Sequence, residues 1–303
     1  KDQYGLEENV LKVRKIYKPV QEKEKKEFVP YTWGTRKLDG NDGIWALKKH
    51  ELFTLLGSTE SGKTAYAFFL ARKNAELGHR VLYVVLEMSV EEIKERFADD
   101  KAGLDIEDDR WERYSQEALA RKSAERKKID DLKNLVMVDA QEELKPTVEF
   151  IAELIKFYNP DLVFIDNFDL IAESKDTRNS YESDNHKIKF LQQFAQNNKI
   201  PIGLIHHINS KKPMRKGGYT LGDVRGSGKI LDQANTHLML SRMVGDDLSS
   251  VDKRKFFIRA RKLRRKGSVG IGTKLVYFHE GDFYDSIEDI NFLTQDADKY
   301  LPY

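Results

Sequence analysis

Five short apolar runs mark the first two thirds of the chain: Leu52 to Leu56, Val81 to Leu86, Leu135 to Val138, Leu162 to Ile165 and Ile202 to Ile205. The stretches between them are long enough for helices. Strands that are apolar at every position, rather than at alternate ones, are buried on both faces, as in a parallel sheet covered by helices. The pattern predicts an α/β fold, a mostly parallel twisted sheet with helices on both faces, wound doubly. The charged segment from Ser89 to Asp131 reads as two helices with a break at Asp105 to Asp109 and a solvated outer face.

Beyond Arg225 the runs become β-like and closely spaced: Thr236 to Ser241, Lys255 to Lys262, Thr273 to His279, then the turn Glu280-Gly281-Asp282 and Phe283-Tyr284. Short polar turns between them predict antiparallel strands added at one edge of the sheet. At the other end of the chain, residues 1–30 are dense in Lys and Glu, broken at Pro19 and Pro30, with apolar positions at Leu6, Val10, Leu11, Val13 and Ile16. That spacing predicts an amphipathic arm helix followed by a charged linker, which either docks on a neighbouring subunit or frays. Residues 31–303 are read as one domain.

Composition narrows the class. With 303 residues the chain can bury one large core or two modest ones. Charged residues make up 34% yet the net charge is only +2, so any affinity for nucleic acid must come from local patches. Cysteine is absent, which excludes disulfides, thiolate zinc sites and cysteine nucleophiles and fits a reducing compartment. No apolar run nears the roughly 18 residues of a membrane span, and no signal peptide opens the chain. The start at Lys1 is read as the trimmed end of a longer chain.

The chemistry concentrates in Glu51 to Leu70. Gly57, Ser58, Thr59, Glu60, Ser61, Gly62, Lys63 and Thr64 fit G-x-x-x-x-G-K-[ST], with an apolar strand before and an apolar helix after. A loop that opens a helix points unpaired N–H groups at one place, where the helix dipole also favours an anion. Lys63 is expected against the β and γ phosphates of a nucleotide, and the Thr64 hydroxyl on magnesium. A glycine turn before an amphipathic helix with a solvated lysine is the rival, but strand, loop and helix all agree with the phosphate reading.

Three further strands end in polar groups, where ligands of open α/β sheets bind. Asp166 is placed to hold magnesium through water or to orient Thr64; an aspartate there can also simply cap a turn. Glu87 is placed to orient an attacking water, or to serve as a helix N-terminal charge. His206 and His207 are followed by Asn209 and Lys211, and a histidine here is placed to sense a γ phosphate, unless the pair is only a surface feature. The basic, glycine-rich loop that follows contains Lys211, Lys212, Arg215, Lys216, Gly217 and Gly218. It suits a phosphate backbone whose sequence is not read, or is a solvated loop. Farther on, alternation sends Lys262 and Arg264 to one face of a strand, as an arginine finger supplied between subunits requires. Basic residues that guard a strand edge look similar.

Taken in order, these segments resemble the helicase domain of the DnaB-type replicative ring helicases, most closely that of phage helicase-primase proteins, from Gly34 to Tyr284. GSTESGKT resembles the family's phosphate loop, LEMSVEE its strand-end glutamate, FIDNFDLI its magnesium-associated strand and HHINS its sensor strand. DVRGSGKILDQANTHLMLSR matches the segment with the turn at Arg225, Gly226, Ser227 and Gly228, and KLRRKG the lysine-x-arginine that reaches a neighbour's nucleotide. The resemblance implies a RecA-like P-loop NTPase with Lys63 and Thr64 on phosphate and magnesium, Glu87 as base, Asp166 supporting the metal and His207 as sensor. Lys262 and Arg264 would act in trans.

It further implies ATP, or another NTP or dNTP, with Mg2+ as cofactors, and a homo-oligomeric, hexameric ring moving 5′ to 3′ on single-stranded DNA. The setting would be the cytoplasm of a bacterial or phage-infected cell, or another reducing compartment with DNA. The family's amino-terminal helical collar and primase have no counterpart here, which leaves open whether a separate primase or loader, or a part removed from the chain, does that work. A RecA-like recombination filament or clock-type ATPase, and a loader that uses nucleotide only as a switch, share the same core and stay open.

Overall fold

The computed structural model describes residues 29–39, 47–104, 114–140, 146–173, 180–208, 232–243, 248–263 and 272–294. Among the described residues nine strands form one sheet: β1 Leu52–Gly57, β2 Val81–Val85, β3 Leu135–Asp139, β4 Leu162–Asp166, β5 Ile202–His207, β6 Thr236–Arg242, β7 Lys255–Leu263, β8 Thr273–His279 and β9 Asp282–Tyr284. Their order across the sheet is β3-β2-β4-β5-β1-β6-β7-β8-β9. The first six pair in parallel; β7, β8 and β9 add antiparallel strands along one edge. Each apolar run of the sequence is a strand, within a residue or two at its ends.

The uninterrupted apolar runs have a direct structural cause. Successive side chains of a strand point to opposite faces, and here each face carries its own core. Phe53, Leu55, Tyr83 and Phe164 lie on one side with Tyr66, Phe68 and Phe69 of helix α2, Lys63–Glu76. Leu82, Val84, Val163, Ile165 and Leu204 face the other way, against α5, Val148–Tyr158, and α6, Ser180–Asn198. At the centre of the first core Phe53 meets Trp33 edge-on at 5.3 Å and Phe164 at 5.8 Å.

The chain before β1 contributes to the first core as well. Tyr31 and Trp33 are buried, and α1, Arg36–Asp39, sets Leu38 beneath them. This strap is tied by polar bonds that its sequence did not advertise. Tyr31 Oη donates to the Asp161 carbonyl at 2.9 Å, Tyr66 Oη to the Trp33 carbonyl at 3.0 Å, and Asn74 pairs with both backbone groups of Thr32 at 3.0 Å. Asp285 accepts the N–H groups of Arg36 and Lys37, each at 2.9 Å. Of the expected arm, residues 1–30, all but Val29 and Pro30 lie outside the described residues.

The charged segment forms two helices, α3, Val90–Ala102, and α4, Gln116–Asp130, capped by Ser89 and Ser115. Its charges are not all solvated. Lys122 reaches Glu95 and Asp99, each at 2.8 Å, Lys94 reaches Asp130 at 2.7 Å, and Arg126 reaches Glu95 at 2.7 Å. Alternating charge on the facing sides of two helices thus does here what an apolar stripe does elsewhere, at small net energy per pair. Two shorter α-helices follow among the described residues: α7, Ser250–Lys253, before β7, and α8, Ile287–Thr294, after β9.

Asp282, at the start of β9, is 9% exposed and accepts from both Arg72 of α2 and Lys101 of α3. Burial alone would raise its pKa, but Arg72 and Lys101 hold it below the ordinary value. Asp282→Asn leaves the largely buried Lys101 without this anion and Arg72 with only Glu76, 2.6 Å from its other nitrogen, and is expected to cost about 3 kcal/mol in urea unfolding. The carboxylate's contribution is complete above its unfolded pKa of 3.8 and disappears as pH falls through the lower folded value, so the wild type, unlike the variant, loses this increment in acid.

Candidate nucleotide-binding site

Parallel pairing puts the carboxyl ends of β2, β4, β5 and β1 along one edge. Leu56 stands opposite His206, Gly57 opposite His207, and Val85 opposite Asp166. The loop from Gly57 to Thr64 leaves β1 at this edge and opens α2. Most helices here begin at a Ser or Thr that caps their N–H groups; α2 begins at Gly62, with φ 82° and no side-chain cap. The opening turn therefore keeps its donors for a ligand.

Two glycines make the loop possible. A Cβ on Gly57 would sit 2.2 Å from Ser61 Oγ and 3.0 Å from the Leu240 carbonyl oxygen. At Gly62 it would meet the Phe256 ring at 2.4 Å, and the left-handed backbone there disfavours any side chain. Phe256 of β7 thus forms the floor of the loop.

Lys63 is 5% exposed, and its Nζ donates to the Ser58 carbonyl at 2.6 Å, folded back over the loop. Burial lowers its pKa to about 8, against the raising influence of Asp166, Glu87 and Asp169. Asp166 moves the other way. Burial raises it, while the Tyr83 hydroxyl, donating at 2.8 Å, and Thr64 lower it. Its Oδ1 is buried without a hydrogen-bond partner. A hard divalent cation, held through Thr64 and the waters of its own shell, suits that oxygen and that shift. Among the described residues no group of three or more His, Cys, Asp or Glu forms a metal cage, so such an ion would draw its remaining ligands from phosphate and water.

Glu87 lies one residue past Leu86 at the end of β2, its side chain half exposed. His207 Nε2 is 3.7 Å from Glu87 Oε2, and Asn167 Nδ2 donates to the same oxygen at 3.1 Å. The neighbouring His207 ring, then the Asn167 hydrogen bond and the nearby Lys63, hold the carboxyl below its ordinary pKa against the effect of burial. Glu87 is thus ionised at neutral pH. Behind it, His206 is buried, its Nδ1 2.9 Å from Asp169 Oδ1, and the His207 N–H donates to Asp169 Oδ2 at 3.4 Å.

The structure therefore brings Lys63, Thr64, Glu87, Asp166 and His207 to one place. Lys262 lies in β7 with its side chain outside the described residues, as are Arg264 and the loop residues Lys211, Lys212, Arg215, Lys216, Gly217 and Gly218. Sequence reasoning missed Asn167, Asp169 and Tyr83. Their only signal was chemical: polar groups in or just beyond apolar strands must find partners when buried.

A phosphate loop at the carboxyl edge of this sheet defines a P-loop nucleotide-binding protein with a RecA-like core. Residues 32–283 match the family model of the DnaB-like helicase C terminal domain, and the chain belongs to that family. It is 26% identical over 189 residues to a probable plasmid replicative DNA helicase of Chlamydia psittaci, which covers 60% of this chain and 40% of that one. The chain thus spans about two fifths of that curated relative. Among solved structures it resembles the ATPase domain of G40P, with a TM-score of 0.66 at 19% identity over 79% of this chain and 86% of that one. It also resembles a DnaB-like replicative helicase studied with primase, with a TM-score of 0.64 at 21% identity over 78% of this chain and 59% of that one. Both likenesses concern the fold.

A triphosphate beside Lys63 returns its pKa upward, so nucleotide binding near pH 8 takes up about half a proton. At pH 6.5 the lysine is already charged and the uptake vanishes. Calorimetry in buffers of different ionisation enthalpy reads this as an uptake that grows from pH 6.5 to 8, and Lys63→Arg, protonated throughout, is expected to remove that growth.

Proposed function

We propose that this chain is the ATPase motor of a replicative DNA helicase: it hydrolyses ATP, or a related NTP or dNTP, and uses the energy to move along single-stranded DNA as a hexameric ring. The observation that carries this reading is the meeting of Glu87, Asp166 and His207, from three strands, around the phosphate loop of a DnaB-like domain. The backbone of Ser58 to Thr64 and Lys63 hold the phosphates. Thr64 and Asp166 would hold Mg2+, which would supply charge neutralisation on the phosphate oxygens. Glu87 orients a water and accepts its proton as the water oxygen bonds to the γ phosphorus; the bond from that phosphorus to the β–γ bridging oxygen breaks, and ADP and phosphate leave. His207 exchanges Glu87 for the γ phosphate, which links occupancy of the site to the chain just beyond β5.

The course of β7 supports a site shared between subunits. Its first residues lie under their own phosphate loop at Phe256, while Leu263 pairs with Thr236 at the opposite edge of the sheet. Seven residues of strand separate them, roughly 24 Å. Arg264, the next residue after Leu263, lies outside the described residues and is assigned to a neighbour's nucleotide. Lys211, Lys212, Arg215 and Lys216, with Gly217 and Gly218 beside them in sequence, are assigned to the DNA backbone, with movement 5′ to 3′ and a separate primase or loader as partner.

ATP turnover measured with and without single-stranded DNA tests the reading. Glu87→Gln is expected to reduce stimulated turnover roughly a hundredfold or more while nucleotide still binds; unchanged turnover would return the chain to a nucleotide-switched loader. Arg264→Ala is expected to lose DNA-stimulated turnover, and full activity from a strict monomer rules out the shared site. Forked-duplex unwinding separates the motor from a recombination filament or a clock-type ATPase, neither of which unwinds processively.

A further inference from the structure

Asn167, the first residue beyond β4, is 2% exposed, and its amide is held at both ends. Oδ1 accepts the backbone N–H of Asp169 at 3.0 Å, and Nδ2 donates to Glu87 Oε2 at 3.1 Å. The two bonds fix each other. Turned over, the amide would set its oxygen against the Glu87 carboxylate and its NH2 against the Asp169 N–H, two repulsive contacts in a low-dielectric place. The donor is therefore always the group presented to Glu87.

Glu87 needs such a bracket. Its side chain is half exposed and has three rotatable bonds, so left alone it would sample many directions. Asn167 and His207 both address Oε2, which leaves Oε1 to meet a water. His207 is the less constant partner, 3.7 Å away and needed elsewhere once a γ phosphate is present. Asn167 has no such second duty, and Asp169, which its Oδ1 anchors, also receives the His207 N–H.

We propose that Asn167 is a positioning residue: it grips one oxygen of Glu87 and so aims the other at the attacking water, in the presence and absence of the His207 contact. The proposal rests on the reading of Glu87 as the group that activates that water. Asn167 touches neither nucleotide nor water and acts only through Glu87, so its loss should slow turnover without weakening nucleotide binding.

The test is Asn167→Asp. The new side chain has nearly the same shape and keeps the oxygen that receives the Asp169 N–H, but faces Glu87 with a second carboxylate in place of a donor. DNA-stimulated kcat is expected to fall roughly tenfold to a hundredfold, with the Kd of a fluorescent ADP analogue changed by less than about threefold. In a Glu87→Gln background the same substitution is expected to add less than about twofold, because nothing remains to be aimed. A kcat equal to wild type, or an undiminished second loss in the Glu87→Gln background, overturns the proposal. Wild-type turnover in Glu87→Gln alone instead defeats the base reading itself. Thermal melting verifies the fold, and if Asn167→Asp does not fold, Asn167→Ser, which retains a short acceptor, is held to the same criteria.

Discussion

Everything at this site depends on the register of four parallel strands. Because β1, β5, β4 and β2 are buried on both faces, none can slip by a residue without turning two cores inside out. That locked pairing sets Gly57 beside His207 and Asp166 beside Val85, and so decides which polar groups appear at the edge together. The chemistry is positioned by hydrophobic burial several residues away from it.

Burial sets the electrostatics of the site. Lys63 is pushed down toward the neutral amine and Asp166 up toward the neutral acid, each by burial. They share a strand edge with an ionised Glu87 and with Asp169, whose own carboxyl is raised by burial but lowered overall by His206 and His207. A polyanion carrying a divalent cation would bring counter-charge to both buried groups at once. Binding energy and the restoration of ordinary protonation states are then the same event.

Much of this was legible beforehand because it rests on local pattern. Continuous apolar runs announced strands covered on both faces, and the spacing of Gly57, Gly62, Lys63 and Thr64 announced the loop. What could not be read were contacts between distant residues whose types are common. Asn167 looks like any polar residue after a strand, and only the pairing of β4 with β2 brings it to Glu87. The cross-helix pairs of α3 and α4 were equally hidden: alternating charge signals a helix, but not which of its faces meets another. Trp33 and Tyr31 were passed over because two aromatics beside a charged tract carry no period.

The strap from residue 29 to 39 has a mechanical consequence. It is bonded at Trp33 to Tyr66 and at Thr32 to Asn74, one turn and three turns into the helix that the phosphate loop opens. A pull on the polypeptide ahead of Val29 therefore reaches the loop through a stiff rod with little slack, and a shift of the loop on filling or emptying is returned along the same rod. Tether and engine share one axle.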